Sequence, residues 1–223
     1  MRELVCVIPA FNAEATLGSV VAGLRTSLPL AHVIVVDDGS SDATRELARA
    51  TADDTVAHDR NRGKGAALRS GFEAALRAGA RKVLTIDADG QHDPGCAPAL
   101  VEKLREADIV IGTRQRIRSQ MPLRRRFSNA LSSAAISRCA GCVLPDTQSG
   151  FRAMRAEVIE RVRAQGDRYE FETDFIIQAA RAGFRIAGVP IPTIYGAPSH
   201  FHEIKDTLRV ARMIWRHREK LFH

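Results

Sequence analysis

Asp87-Ala88-Asp89-Gly90-Gln91-His92-Asp93-Pro94 follows directly on the apolar run Val83-Leu84-Thr85-Ile86. Carboxylates one residue apart at the end of a buried strand can share a hard divalent cation, which in turn can neutralise a diphosphate. Asp87, Asp89 and Gln91 are the candidate oxygen ligands, and an all-oxygen set suits Mg2+ or Mn2+. A second acidic rim, Asp37-Asp38-Gly39-Ser40 after Val33-Ile34-Val35-Val36, repeats the arrangement. Carboxylates there can accept hydrogen bonds from a base N–H or from ribose hydroxyls. Either rim alone reads equally well as a solvated turn, because Asp and Gly favour turns. Their recurrence at two strand ends predicts a site for a nucleotide with its metal.

A third segment, Asn61-Arg62-Gly63-Lys64-Gly65, opens a helix and offers backbone N–H groups and an ammonium to an anion. It is not an NTPase phosphate loop, since Ala66 stands where Ser or Thr is required, and no G-x-G-x-x-G follows the first strand. Kinase, ATPase and NAD-dependent readings lose support accordingly.

The elements that must carry these residues alternate. Strands are expected over 4–8 (ended by Pro9), 32–36, 55–57, 83–86, 109–112 and 185–189. Helices are expected over 13–28 with Asn12 as cap, from Ser40 or Ser41 through Ala50, after Gly65, after Pro98 and over 173–182. Repeated β-α units of this length predict an α/β fold, a mostly parallel sheet flanked by helices, in a single domain. Beyond Gly112 the pattern becomes a basic loop over 113–120, an amphipathic helix from Pro122 and a final helix over 202–220.

Charge narrows the partners. The 223 residues carry a net charge of +7, which calls for an anionic partner. Seven arginines (Arg114, Arg116, Arg118, Arg124, Arg125, Arg126, Arg138) and no acidic residue lie between Thr113 and Cys139. In the last helix Ile204, Leu208, Ala211 and Trp215 recur at helical spacing among Arg and Lys, a pattern of helices that lie on an anionic membrane surface or pack on a sheet. A single Trp, few Tyr and no recognised binding module argue against nucleic acid. No apolar run approaches the roughly 20 residues of a membrane span, and Met1-Arg2-Glu3 leads straight into a strand without an export signal. The expected location is cytoplasmic, peripheral on the cytoplasmic membrane face. Four cysteines make no disulfide framework at this size, and Cys139-Ala140-Gly141-Cys142 lacks the companion ligands of a zinc site.

Four motifs in fixed order carry a resemblance: Ile8-Pro9-Ala10-Phe11-Asn12-Ala13-Glu14, the run VVDDGSSDAT over 35–44, Asn61 to Gly65, and Asp87 to Pro94. The chain resembles family-2 glycosyltransferases. Gly112-Thr113-Arg114, Asp146-Thr147-Gln148-Ser149-Gly150-Phe151-Arg152, and Ser199-His200-Phe201 with Asp206-Thr207-Leu208-Arg209 extend the likeness to the dolichyl-phosphate mannose synthase branch, which makes polyprenyl-phosphate sugars. The resemblance implies one GT-A domain over 1–223, with a nucleotide-binding half over 1–112 and an acceptor half over 113–223. It further implies a GDP- or UDP-sugar donor, Mg2+ or Mn2+, inversion at the sugar and a lipid-phosphate acceptor, while the lack of a spanning run in the sequence leaves room for a separate membrane subunit. Pro9, Ala10, Asn12, Glu14, Asp37 and Asp38 would serve the nucleoside. Lys64, Asp87, Ala88, Asp89 and Gln91 would serve the diphosphate and metal, and Arg114 a phosphate of donor or acceptor. Glu172 or Asp174, within Glu170-Phe171-Glu172-Thr173-Asp174, would act as base or orient the acceptor. Two departures stand out: Ala13 replaces the usual Glu after Asn12, placing Glu14 one position late, and His200 stands where Lys is frequent.

Overall fold

The computed structural model describes residues 2–114, 144, 146, 147, 149–168 and 170–192. The expectations for the basic loop beyond Arg114, the helix from Pro122, the Cys139–Cys142 pair, His200 and the final helix lie outside the described residues.

Seven strands form one sheet in the order β3-β2-β1-β4-β6-β5-β7. They are β1 (Leu4–Ala10), β2 (His32–Asp37), β3 (Asp54–Ala57), β4 (Lys82–Thr85), β5 (Ile109–Arg114), β6 (Arg152–Arg155) and β7 (Ile186–Ile191). All pairings are parallel except those of β6, which runs antiparallel between β4 and β5. The helices are α1 (Leu17–Ser27), α2 (Thr44–Thr51), α3 (Lys64–Arg77), α4 (Ala97–Lys103), α5 (Ala156–Arg161) and α6 (Glu170–Arg181), with a single 3-10 turn over Pro94–Cys96.

Continuous apolar strands are what a sheet covered on both faces demands. Alternation along β1 sends Val5 and Val7 into a core shared with α3, α5 and α6, and sends Leu4, Cys6 and Ile8 into a second core shared with α1 and α4. Burial pushes the Cys6 thiol up to about 12, so this cysteine is a packing group. Register sets the working edge. Ala10 pairs with Asp37, and Ile86 donates its N–H to the Val7 carbonyl, so the ends of β1, β2 and β4 meet on one rim.

Several local expectations need correction. β1 runs through Pro9 to Ala10; its pairing with β4 stops at Val7 and Thr85, so the missing proline amide interrupts no ladder there. α1 starts at Leu17 with Thr16 at its cap, and Asn12 instead adopts a left-handed φ of 48°. Neither Ser40 nor Ser41 caps α2, whose helical residues begin at Thr44. The cause is shared: residues 11–16 and 38–44 lock into each other before either helix begins. β6 is an addition to the expected strands, none of which falls over 152–155.

Candidate active site

The loops after β1 and β2 are tied by reciprocal hydrogen bonds. Asn12 N–H donates to Ser40 Oγ (3.0 Å), Ala13 N–H to Thr44 Oγ1 (2.7 Å) and Glu14 N–H to Asp42 Oδ2 (3.1 Å). In return Ser41 N–H donates to Asn12 Oδ1 (2.9 Å) and Ala43 N–H to Glu14 Oε2 (2.9 Å). Glu14 thus takes up an amide at the N-terminus of α2, a favourable place for a carboxylate. Thr16 extends the lock to the third rim by donating its hydroxyl to the Ala88 carbonyl at 2.6 Å. Pro9, Ala10, Asn12 and Glu14 therefore sit on one braced ledge beside the Asp87–Gln91 turn.

Asp37 and Asp38 are fully buried, and their carboxylates face protein groups. Asp37 accepts from Arg45 Nε (2.7 Å) and Ser40 N–H (3.1 Å). Asp38 accepts from Arg62 N–H (3.0 Å), Gly63 N–H (2.7 Å) and His58 Nδ1 (2.6 Å), and His58 Nε2 meets Ser70 Oγ at 2.9 Å. A buried carboxylate with several donors is a strong fixture. It hangs the 58–63 loop from the end of β2 and delivers the start of α3 to the rim.

Lys64 is the first residue of α3, and its neighbours show why glycine flanks it. Gly63 has φ 101°, and a Cβ there would collide with the Asp167 carbonyl. A Cβ on Gly65 would lie 2.5 Å from Phe171 Cβ. This close approach carries the Lys64 ammonium to 2.7 Å from Asp87 Oδ1 and 2.9 Å from Glu172 Oε2. The Ala66 amide at this helix start is engaged with the Asp167 carbonyl (3.1 Å).

Asp87 is pressed from behind by Gly150, where any Cβ would run into its carboxylate. Gly150 is itself fixed by Thr85 Oγ1, which donates to its carbonyl at 2.9 Å. Burial opposes ionisation of Asp87, yet the Lys64 ammonium, with the fields of His92 and Arg152, holds its pKa below the ordinary carboxylate value. Burial and the Asp87 charge push Asp89 the other way, upward. Lys64 is likewise desolvated, but its two carboxylate neighbours raise its pKa.

A divalent ion fits this donor set. Asp87 and Asp89 repel each other, and the Gln91 amide belongs to a turn fixed by Gln91 N–H donating to Asp89 Oδ1 (3.0 Å). Among the described residues no group of three or more His, Cys, Asp or Glu gathers as a complete cage. Two carboxylates completed by phosphate oxygens and water is the usual manner of holding Mg2+.

The structure separates the remaining candidates. Glu172 is brought to the site. Asp174 Oδ2 accepts from Gln165 N–H (2.7 Å) and Gln178 Nε2 (2.6 Å), which fastens the 165–168 segment to α6. Arg114 ends β5 opposite Ile191, and its guanidinium lies outside the described residues. Arg152 and His92 lie within motifs quoted from the sequence but are given no role by pattern reading. Arg152 is buried and donates to the carbonyls of Ser149 (2.8 Å), Thr147 (2.9 Å) and Glu172 (3.2 Å). His92 is buried against the Phe151 ring, centroids 5.6 Å apart. The available signal is their place in the Asp87–Pro94 and Asp146–Arg152 motifs.

The Glycosyl transferase family 2 profile covers residues 5–163, and the chain belongs to that family of glycosyltransferases. It is 34% identical over 202 residues to undecaprenyl-phosphate mannosyltransferase of Micrococcus luteus, spanning 86% of this chain and 83% of that protein. It is 33% identical over 204 residues to polyprenol monophosphomannose synthase of Mycolicibacterium smegmatis, spanning 85% and 76%. Among solved structures, glucosyl-3-phosphoglycerate synthase from Mycobacterium tuberculosis, in complex with Mn2+, UDP and phosphoglyceric acid, aligns with a TM-score of 0.76 at 25% identity, over 97% of this chain and 78% of that one. The fold is GT-A, and the protein is an enzyme of glycosyl transfer.

Proposed function

We propose that the enzyme transfers a sugar, with inversion, from a GDP- or UDP-sugar to a polyprenyl phosphate at the cytoplasmic face of a membrane. The observation that carries the donor side is the Asp87–Asp89 turn with Lys64 at 2.7 Å. The acceptor assignment is supported by relatives named as mannosyltransferases of undecaprenyl phosphate and polyprenol monophosphate. No helix among the described residues is long and apolar enough to cross a membrane, so contact with the lipid would come from the basic segments or a separate membrane subunit.

In this reading Pro9, Ala10, Asn12, Glu14, Asp37 and Asp38 form and brace the nucleoside ledge, while Lys64, Asp87, Ala88, Asp89 and Gln91 receive the diphosphate. Mg2+ or Mn2+ bound at Asp87, Asp89 and Gln91 would supply Lewis-acid stabilisation of the departing nucleoside diphosphate. An oxygen of the acceptor phosphate attacks the anomeric carbon on the face opposite the diphosphate; one C–O bond forms as the other breaks. A phosphate monoester is largely ionised at neutral pH, its second pKa being about 6, so the nucleophile needs no proton acceptor. Arg114 would pair with a phosphate of donor or acceptor.

The rival reading is transfer to a hydroxyl. The matched structure that holds phosphoglyceric acid favours it, and it would require a base such as Glu172. Incubation with a panel of GDP- and UDP-sugars, Mg2+ or Mn2+, and either a short polyprenyl phosphate or hydroxyl acceptors separates the two. Glycosyl phosphate lipid is the expected product, formed only with metal. Conversion of hydroxyl acceptors with the lipid phosphate untouched would overturn the proposal.

A further inference from the structure

Glu172 occupies the place where a base would be sought, yet its surroundings are those of an anchor. It is 5% exposed, and each oxygen faces a cation: Oε2 lies 2.9 Å from Lys64 Nζ and Oε1 lies 3.6 Å from Arg152 Nη2. Arg152 is 3% exposed and held by three carbonyls, one of them that of Glu172. It therefore cannot follow a moving partner. Lys64, in contrast, is a flexible four-carbon stem on a fixed backbone, with its ammonium shared between Asp87 and Glu172. The four formal charges, Asp87 and Glu172 negative, Lys64 and Arg152 positive, cancel. A divalent ion arriving at Asp87 upsets that balance and repels the ammonium lying against the same carboxylate.

We infer that Glu172 is a positioning residue, the second seat that draws the Lys64 ammonium off Asp87 when metal and diphosphate bind, with Arg152 fixing that seat. This rests on the reading of Asp87 as a metal and diphosphate residue. Lys64 then stands between donor and α6, released from one carboxylate and retained by the other. Its charge becomes available to the diphosphate without the side chain swinging loose.

The test is Mn2+ binding by the full chain, followed by electron paramagnetic resonance of the free ion, with and without UDP or GDP. Glu172→Gln removes the negative charge that competes with Asp87 for the ammonium, so Mn2+ affinity in the presence of nucleotide should weaken by about ten-fold or more. Lys64→Met uncovers Asp87 and should bind Mn2+ alone more tightly than wild type. This second variant keeps the inference testable should Glu172→Gln fail to fold beside the buried Arg152. In turnover, the Glu172→Gln loss should appear in the half-saturation values for metal and donor. Wild-type Mn2+ affinity in Glu172→Gln, with kcat collapsing at saturating metal, would identify a base and overturn the inference. Unchanged or weaker Mn2+ binding by Lys64→Met would overturn it as well. Failure of the wild-type protein to bind Mn2+ with either nucleotide would instead refute the donor-site reading, and this inference with it.

Discussion

Asp89 is held against its own ionisation in the metal-free protein, by burial and by the charge of Asp87. A carboxyl group whose pKa is raised by folding contributes stability below its ordinary value of about 4, and the contribution is lost as pH rises through the raised value. Asn at this position mimics the neutral form permanently. Asp89→Asn should therefore melt higher than wild type in EDTA at pH 7, with the difference closing as the pH is lowered towards 4. The same variant should lose at least about 100-fold in metal-dependent transfer. Thermal melts at both pH values and a transfer assay check the two halves together. Asp87 and Asp89 are legible in the sequence because an apolar run announces where its acidic end must lie. The partners of Asp38 are not. His58, Arg62 and Gly63 lie 20 to 25 residues away, and only the folded loop brings them within 3.0 Å. The role of Arg152 escapes notice for a related reason, since its motif does not foretell a buried guanidinium satisfied by carbonyls.

At the level of elements, α3 is the piece on which the site leans, because it presents Lys64 at one end and packs across β1 along its length. Gly71 marks the tightest contact: a Cβ there would strike Val7 Cγ1 of β1. Gly to Ala in a helix interior normally gains about 1 kcal/mol. Overpacking a buried contact costs about 1–3 kcal/mol, and here the neighbour is a branched side chain wedged in the sheet. The steric effect should prevail. Gly71→Ala is expected to lower stability by about 1 kcal/mol, read as a lower urea midpoint at unchanged slope. The β-α alternation is legible because each run keeps its own period for long enough to register. β6 is not, being four residues with arginine at both ends. The late start of α1 is likewise hidden: Asn12 reads locally as a cap, and only the neighbouring loop explains why its side-chain Oδ1 is used elsewhere, accepting from Ser41 N–H.

For the molecule as a whole, the net charge of +7 coexists with an acidic donor rim. Under the proposed function, such a division would serve to take an anionic donor from solution and an anionic headgroup from a bilayer. The protein should co-sediment with vesicles containing phosphatidylglycerol at low salt, be released as the Debye length shrinks to about 3 Å at 1 M salt, and ignore phosphatidylcholine vesicles. Equal binding to both vesicle types would refute an electrostatic attachment. Net charge is readable from composition alone. The interleaving of early and late strands is less so, because no strand is expected over 152–155. β6, drawn from beyond residue 150, is inserted between β4 and β5. Cutting the chain at 112 would strip β4 of β6, one of its two neighbours, and expose a bare strand edge of the kind that invites aggregation. Grafting a foreign acceptor module onto this donor scaffold, whether by recombination in nature or by protein engineering, is thereby discouraged. New specificities are better sought by rewriting the loops that crown the sheet.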